Sequence, residues 1–270
     1  MRELAEHSYS LLENLTEDEW HAPTSSSKWC VKDIVAHLLD GSCRRLSGQR
    51  DGYHSPHLAP EKEGYESLLT FLNKLNDDWT QATYRLSPRL LIEFLRFTDE
   101  RLLDFLATLD SFAPAPFPVG WAGEEHSANW FDIAREYTEK WHHQMQIREA
   151  TNRMTILNQA PLLPTAMDVF LRGLPHHYAD LDVPAGTRLA VRLSDQQDPG
   201  WTLVRENDAW VLYRGMDAHD ASIEFSGITG WKILTKRRPP AQIKADFPDI
   251  RLEGDNRLGE HFLSAVSMMA

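Results

Sequence analysis

The sequence predicts an α+β protein: a four-helix bundle followed by a smaller mixed α/β domain. Apolar residues recur at helical spacing through most of residues 1–178. Alternation with period two sets in only after "GLPHHYADLDVPAG". The chain has 270 residues and is 42% hydrophobic, enough length and apolar content for two ordinary domains with real cores.

Leu4, Leu11, Leu12 and Leu15 mark a first helix that ends near "TEDEW". "PTSSSKW" is a turn rich in side chains that cap helices. Val31, Ile34, Val35, Leu38 and Leu39 then form the stripe of a second helix, which reaches about Leu46. Gly48, Gly52, Pro56 and Pro60 make residues 48–61 a loop. Helical spacing returns from Tyr65 to about Trp79, and again at "SPRLLIEFL", where Ser87 caps and Pro88 suits the first helical position of a helix to Leu109. Pro114, Pro116, Pro118 and Gly120 break the pattern. "SANWFDIAREY" restarts it, with Asn129 as cap and Asp132 three residues on. A further short helix fits between Pro164 and Leu174.

In the tail, "TRLAVRLS", "GWTLVREN" and "AWVLYRG" read as strands, the last two joined by a hairpin over Asn207, Asp208 and Ala209. "ASIEF" is another strand, "GITGWKILTK" a short helix and "DIRLEGD" a last strand. Leu258, Phe262, Leu263 and Val266 share one face of a terminal helix, and Met268 and Met269 beyond them read as packing. The expected division is 1–178, a helical bundle with an additional helix, and 179–270, a mixed α/β domain.

Composition excludes several classes. Forty acidic residues against 28 basic ones give a net charge of −12, which repels a phosphate backbone. The cluster Lys236, Arg237 and Arg238 is too short to offset it. No run approaches the length of continuous apolar residues that spans a membrane, and "MRELAEHSYSLLENL" lacks the apolar stretch of a signal peptide. Cys30 and Cys43, about 20 Å apart along one expected helix, cannot pair. A cytoplasmic protein acting as monomer or homodimer is expected.

Two adjacent histidines stand out in "REYTEKWHHQMQIREA". Glu139 and His143 are four residues apart, a spacing that advances about 6 Å and turns about 40°, so both side chains can reach one point. Oxygen and nitrogen donors together suit zinc, nickel or a similar divalent ion. A third donor is available in His37, on the flank of the second helix's apolar stripe. Residue spacing also permits His142 in place of His143. It permits a plain reading as well: His37 as a hydrogen-bonded core histidine, and Glu139 paired with Lys140 or Arg135. Trp130, Tyr137 and Trp141 form an aromatic stripe roughly opposite Glu139, so that helix must be covered on two faces or leave the metal face open to solvent.

"KWCVKDIVAHLLD", "SPRLLIEFL" and "REYTEKWHHQMQIREA" resemble the DinB-like metal-binding bundles, most closely the mycothiol-dependent maleylpyruvate isomerase group. "GWTLVRENDAWVLYRG", "GITGWKILTK" and "RLEGDNRLGEHFLSAVSMMA" are similar to that group's small sterol-carrier-like C-terminal domain. The resemblance implies that His37, the histidine of a W-x-V-x-D-x-x-x-H segment, binds the metal together with Glu139 and His143, leaving His142 outside the set. The group carries an Asp three positions after the second histidine, where this chain has Gln146. That exchange leaves metal binding intact and weakens the case for the same activity.

The resemblance also implies chemistry. A bound divalent metal lowers the pKa of a thiol or water. A low-molecular-weight thiol such as mycothiol or bacillithiol would then be transferred to a small electrophile. Alternatively it would add to a conjugated double bond, permit rotation and leave, isomerising a small unsaturated acid. Two alternatives are a thiol-independent metal hydrolase and a non-enzymatic protein that binds a metal or an apolar ligand. His176 and His177 could line a cleft or lie in a solvated loop, Trp121 could close over a site or anchor its loop, and Arg237 and Arg238 could attract a carboxylate. Cys43 sits too far around its helix from His37 to serve as a nucleophile there.

Overall fold

The computed structural model describes residues 1–26, 28–53, 65–154, 156–158, 161–215, 218–236 and 238–267. Pro56 and Pro60 of the expected loop, Arg237, Met268 and Met269 lie outside the described residues. The fold class is α+β, a helical part followed by a five-stranded sheet with its own helices. The chain forms two compact units, Met1–Pro116 with Glu139–Ile156, and Phe117–Thr138 with Leu157–Ala270. The chain crosses between these units at three points. One reason lies in packing: Leu163 and Met167 rest against Gly227 and Gly230 in the second unit, so their helix joins the sheet.

The first unit holds α1 (Arg2–Leu12), α2 (Glu17–Trp20), α3 (Val31–Arg45), α4 (Tyr65–Thr83), α5 (Pro88–Leu106) and the C-terminal part of α6 (Asn129–Ala150). α1 stops before Leu15 because a capping box opens α2. There Thr16 N donates to Glu19 Oε2 at 2.8 Å, and Glu19 N donates to Thr16 Oγ1 at 3.3 Å. The polar run before α3 does not cap it. Cys30 is the N-cap, and Asp33 at the third helical position accepts the Cys30 N–H at 3.0 Å. α3 runs on into a π-helical turn, Leu46–Arg50. α5 begins as its sequence indicates, with Ser87 Oγ accepting the Leu90 N–H at 3.3 Å and Pro88 at the start.

The core of this unit joins Val31, Ile34, Val35, Leu38 and Leu39 of α3 to Leu91 and Leu95 of α5, Leu11 and Leu12 of α1, and Ile147 of α6. Each such aliphatic side chain contributes about 1.5–3 kcal/mol on burial. α6 is covered on both faces. Trp141, Met145 and Ile147 are fully buried, and so, nearly, are Lys140, His143, Gln144, Gln146 and Arg148. A helix this polar stays inside only if its polar groups are partnered. Gln144 Nε2 donates to the Leu4 carbonyl at 3.0 Å, and Arg148 donates to the His7 carbonyl at 2.9 Å.

In the second unit β1 (Arg188–Leu193), β2 (Trp201–Arg205), β3 (Trp210–Arg214), β4 (Ala221–Phe225) and β5 (Arg251–Gly254) form one sheet in the order β3-β2-β1-β4-β5. Only the β1–β4 pairing is parallel. The β2–β3 hairpin closes through Glu206 N to the Ala209 carbonyl at 2.8 Å. Its helices are α7 (Leu162–Leu171), α8 (Leu174–His177), α9 (Gly227–Thr235), α10 (Pro240–Asp246) and α11 (Asn256–Phe262). α10 lies between the expected helix and last strand, and Pro240 occupies a first-turn position that needs no N–H. α11 ends at Phe262, short of Val266, and Ser267 N is tied to the Leu234 carbonyl at 2.8 Å.

His177 and His261 stack at 4.4 Å, each ring nitrogen meeting the other's main-chain carbonyl, at 3.0 and 2.9 Å. His177 therefore serves as a clamp between α8 and α11, and His176 covers Gly123 so closely that no Cβ would fit there. Trp121 lies edge-on to Phe131 at 5.8 Å beside Val119 and Val169, as a loop anchor. Arg238 meets Asp246 at 3.6 Å. No helix among the described residues is long and apolar enough to cross a membrane.

Gly254 ends β5 at φ 77°, and a Cβ there would lie 2.1 Å from the Asp220 carbonyl oxygen, on a rigid backbone. Gly254→Ala is expected to cost about 1–3 kcal/mol, from positive φ and that collision together. A lowered urea midpoint with an unchanged m-value checks it.

Candidate metal centre

Each residue of the W-x-V-x-D-x-x-x-H segment has a distinct task in positioning the site. Asp33 fixes where α3 starts, and Val31 sinks into the core at 0% exposure. His37 follows one turn after Asp33 on the flank of the stripe, facing α6. Trp79 of α4 donates its indole N–H to the Ala36 carbonyl at 2.8 Å, holding the backbone beside His37. The Trp29 ring packs 4.8 Å from the His37 ring and 6.2 Å from that of His143, walling one side of both.

From α6, Glu139 and His143 meet His37. Glu139 Oε1 lies 3.2 Å from His37 Nε2 and 3.1 Å from His143 Nε2, and one donor atom from each residue falls within 4.8 Å of the others. The two imidazoles sit nearly edge to face, with centroids 4.8 Å apart. Their side chains are 11% and 9% exposed, whereas Glu139 retains 38%, so the carboxylate marks the open side.

The rotation that brings the two helices into register is set by a buried node next to Glu139. Lys140 Nζ donates to Asp99 Oδ1 of α5 at 2.9 Å and to Ser42 Oγ of α3 at 3.1 Å. Ser42 Oγ in turn donates to Asp99 Oδ1 at 2.6 Å, and Tyr9 OH donates to Asp99 Oδ2 at 3.3 Å. Lys140 and Arg135 are thus paired elsewhere, Arg135 with Asp132, and neither takes Glu139.

Electrostatics suit ligation. Burial pulls His37 below the usual imidazole range, outweighing the opposing hydrogen bond to Glu139, so the ring is neutral at pH 7. For Glu139, whose inner face is buried though 38% of the side chain stays exposed, burial pushes upward, but the two facing imidazoles together outweigh it and hold the carboxyl well below its usual range. Neutral imidazole and ionised carboxylate are the forms that bind a divalent metal. His142 is pulled down to about 3, chiefly by burial, and its nitrogens are not among the converging donors.

Two imidazole nitrogens and a carboxylate oxygen form a donor set suited to zinc or a neighbouring transition metal. Gln146 Oε1 lies 2.8 Å from His143 Nδ1, and Nε2 is the nitrogen that faces Glu139 and the centre. The residues fit the metal that the sequence resemblance implies.

Residues 1–148 match the model of the mycothiol maleylpyruvate isomerase N-terminal domain, more than half of the 270-residue chain. The chain belongs to the mycothiol maleylpyruvate isomerase N-terminal domain family. Among solved structures it resembles the mycothiol-dependent maleylpyruvate isomerase, with a TM-score of 0.51 and 11% identity over 86% of this chain and 84% of that one. A histidine-to-alanine mutant of that isomerase gives the same TM-score, 0.51, and 12% identity over the same shares, 86% and 84%. At this identity the likeness is one of fold. No curated protein matches the chain.

Sequence reasoning missed the Lys140–Asp99–Ser42 node, since nothing local links residues on three helices. The contact of Gln146 with His143 was open to inspection, because three residues apart on a helix is a neighbouring position.

Proposed function

We propose that the chain is a divalent-metal-dependent enzyme. It uses a low-molecular-weight thiol of the mycothiol or bacillithiol type for S-transfer, or for cis–trans isomerisation of a small unsaturated acid. His37, Glu139 and His143 would hold the metal, zinc or nickel, within a bundle carried by residues 1–178, with 179–270 as the smaller domain. The observation that carries this reading is the convergence of three donor atoms within 4.8 Å, inside the stretch that matches the isomerase family.

When bound, such a metal lowers the pKa of a coordinating thiol and so supplies a nucleophile near neutral pH. The chain's own residues do the rest. His37 and His143 present ring nitrogens, and Glu139 contributes a carboxylate on the exposed side of the trio. Trp29 packs against both rings. Three protein donors leave an exchangeable position, the arrangement of a catalytic rather than a structural centre. A net charge of −12 accords with small-molecule partners and not with nucleic acid. A cytoplasmic setting and a monomeric or homodimeric state belong to the same reading.

The test uses tag-free, metal-loaded protein with maleylpyruvate or a comparable unsaturated acid, with and without mycothiol or bacillithiol. Turnover that requires both thiol and metal is expected, with omission of the thiol abolishing it. Metal-dependent cleavage of an ester or amide with no thiol present would instead assign a hydrolase.

A further inference from the structure

The two ligand imidazoles differ on their outer sides. Among the described residues His37 Nδ1 is buried with no hydrogen-bond partner, whereas His143 Nδ1 meets Gln146 Oε1 at 2.8 Å inside the bundle. Gln146 is 7% exposed, so that bond is shielded from water. Both nitrogens of His143 therefore face oxygen: Gln146 on one side and Glu139, at 3.1 Å, on the other. Once Nε2 is given to the metal, the ring's one N–H lies on Nδ1, where the Gln146 amide oxygen can accept it.

We propose that Gln146 is a positioning residue that fixes the ring plane and tautomer of His143 and, being uncharged, makes this centre weaker-binding and more electron-withdrawing than a carboxylate at the same place would. The proposal rests on the reading of His37, Glu139 and His143 as a metal centre. A carboxylate accepting the same N–H would draw the proton toward itself and enrich the ring in electron density, raising its donor strength. Gln146 fixes geometry without that enrichment. A metal held this way keeps more of its charge for the group that occupies its open position, which favours a thiolate there.

The experiment compares full-length wild type, Gln146→Leu, Gln146→Glu and His143→Ala. Zinc affinity is measured by chelator competition, and the His143 ring proton is followed by nitrogen-15 NMR of the zinc-loaded protein. Leucine fills the same buried volume but removes the acceptor. Gln146→Leu is expected to weaken zinc binding by about 10–100-fold, the range for loss of an outer hydrogen-bond partner. The slowly exchanging Nδ1 proton seen in wild type should be lost with it. Gln146→Glu should rescue the proton signal and tighten zinc by about tenfold, at the lower end of the same range. A purely structural role would not separate the two variants in this way.

Affinity within twofold of wild type in Gln146→Leu, with the Nδ1 proton still protected, would overturn the proposal. So would Gln146→Glu binding no tighter than wild type, or wild-type zinc protein lacking a protected proton on that nitrogen, a readout that needs no variant to fold. If His143→Ala binds zinc as tightly as wild type, it is the metal centre that fails. If His143→Ala loses zinc while Gln146→Leu does not, only the role of Gln146 fails.

Discussion

Protein carrying His143→Ala is expected to lose its divalent metal, with zinc affinity lowered by more than about 100-fold, beyond the span seen for outer partners alone. Alanine leaves two donors, His37 and Glu139, facing each other at 3.2 Å, and two ligands rarely retain a divalent ion against a chelator. Thiol-dependent turnover should fall in parallel. The informative control is His142→Ala one residue away. That ring is also held neutral by burial, yet its nitrogens do not converge with the trio, so metal content should stay close to one ion per chain. Metal content by mass spectrometry of tag-free protein, with chelator competition, separates the two histidines. Equal metal loss in both variants would mean that the helix, not the ligand set, was perturbed.

Asp99→Ala is expected to destabilise the protein by about 3–5 kcal/mol, because it removes one partner of the buried Lys140–Asp99 ion pair. Both side chains are nearly inaccessible, at 10% for Lys140 and 6% for Asp99, so water cannot replace the lost partner. Ser42 and Tyr9 would lose their shared acceptor in the same step. Replacing both charges, as in Asp99→Leu with Lys140→Met, should recover most of the loss, since an apolar pair of similar size is often as stable as a buried ion pair. Urea unfolding of Asp99→Leu, Lys140→Met and the double variant measures this coupling. A cost below about 1 kcal/mol for Asp99→Ala would place the pair in the class of solvent-screened contacts. Because Lys140 adjoins Glu139, the single variant should also weaken metal binding more than the double variant does.

Much of the architecture was legible because simple periodicities dominate it. The stripe Val31, Ile34, Val35, Leu38 and Leu39 settled α3 and its inward face, and alternation marked β1 to β4. Ser87 with Pro88 announced α5. The polar start of α3 misled, because its cap comes from Asp33 inside the helix rather than from the serines before it. The seven residues of α10 carry no apolar stripe that marks a helix, and apolar spacing continues past Phe262 although the terminal helix ends there.

At the centre, spacing brought Glu139 together with two competing histidines, and only three-dimensional packing separates them. α6 was the hardest element to read, since its buried face is polar. Lys140, Gln144 and Arg148 are inside because partners elsewhere in the bundle receive them, and no pattern within the helix itself announces those partners.

The central claim is that imidazole, carboxylate and imidazole from α3 and α6 hold one divalent ion. Anomalous diffraction from crystals of tag-free protein, recorded on both sides of the zinc and nickel absorption edges, tests it most directly. The account predicts a single peak bonded to His37 Nε2, Glu139 and His143 Nε2 at about 2.0–2.2 Å, with Gln146 still on His143 Nδ1. A fully bound ion held by other side chains, with His37 and His143 turned away from each other, would contradict it.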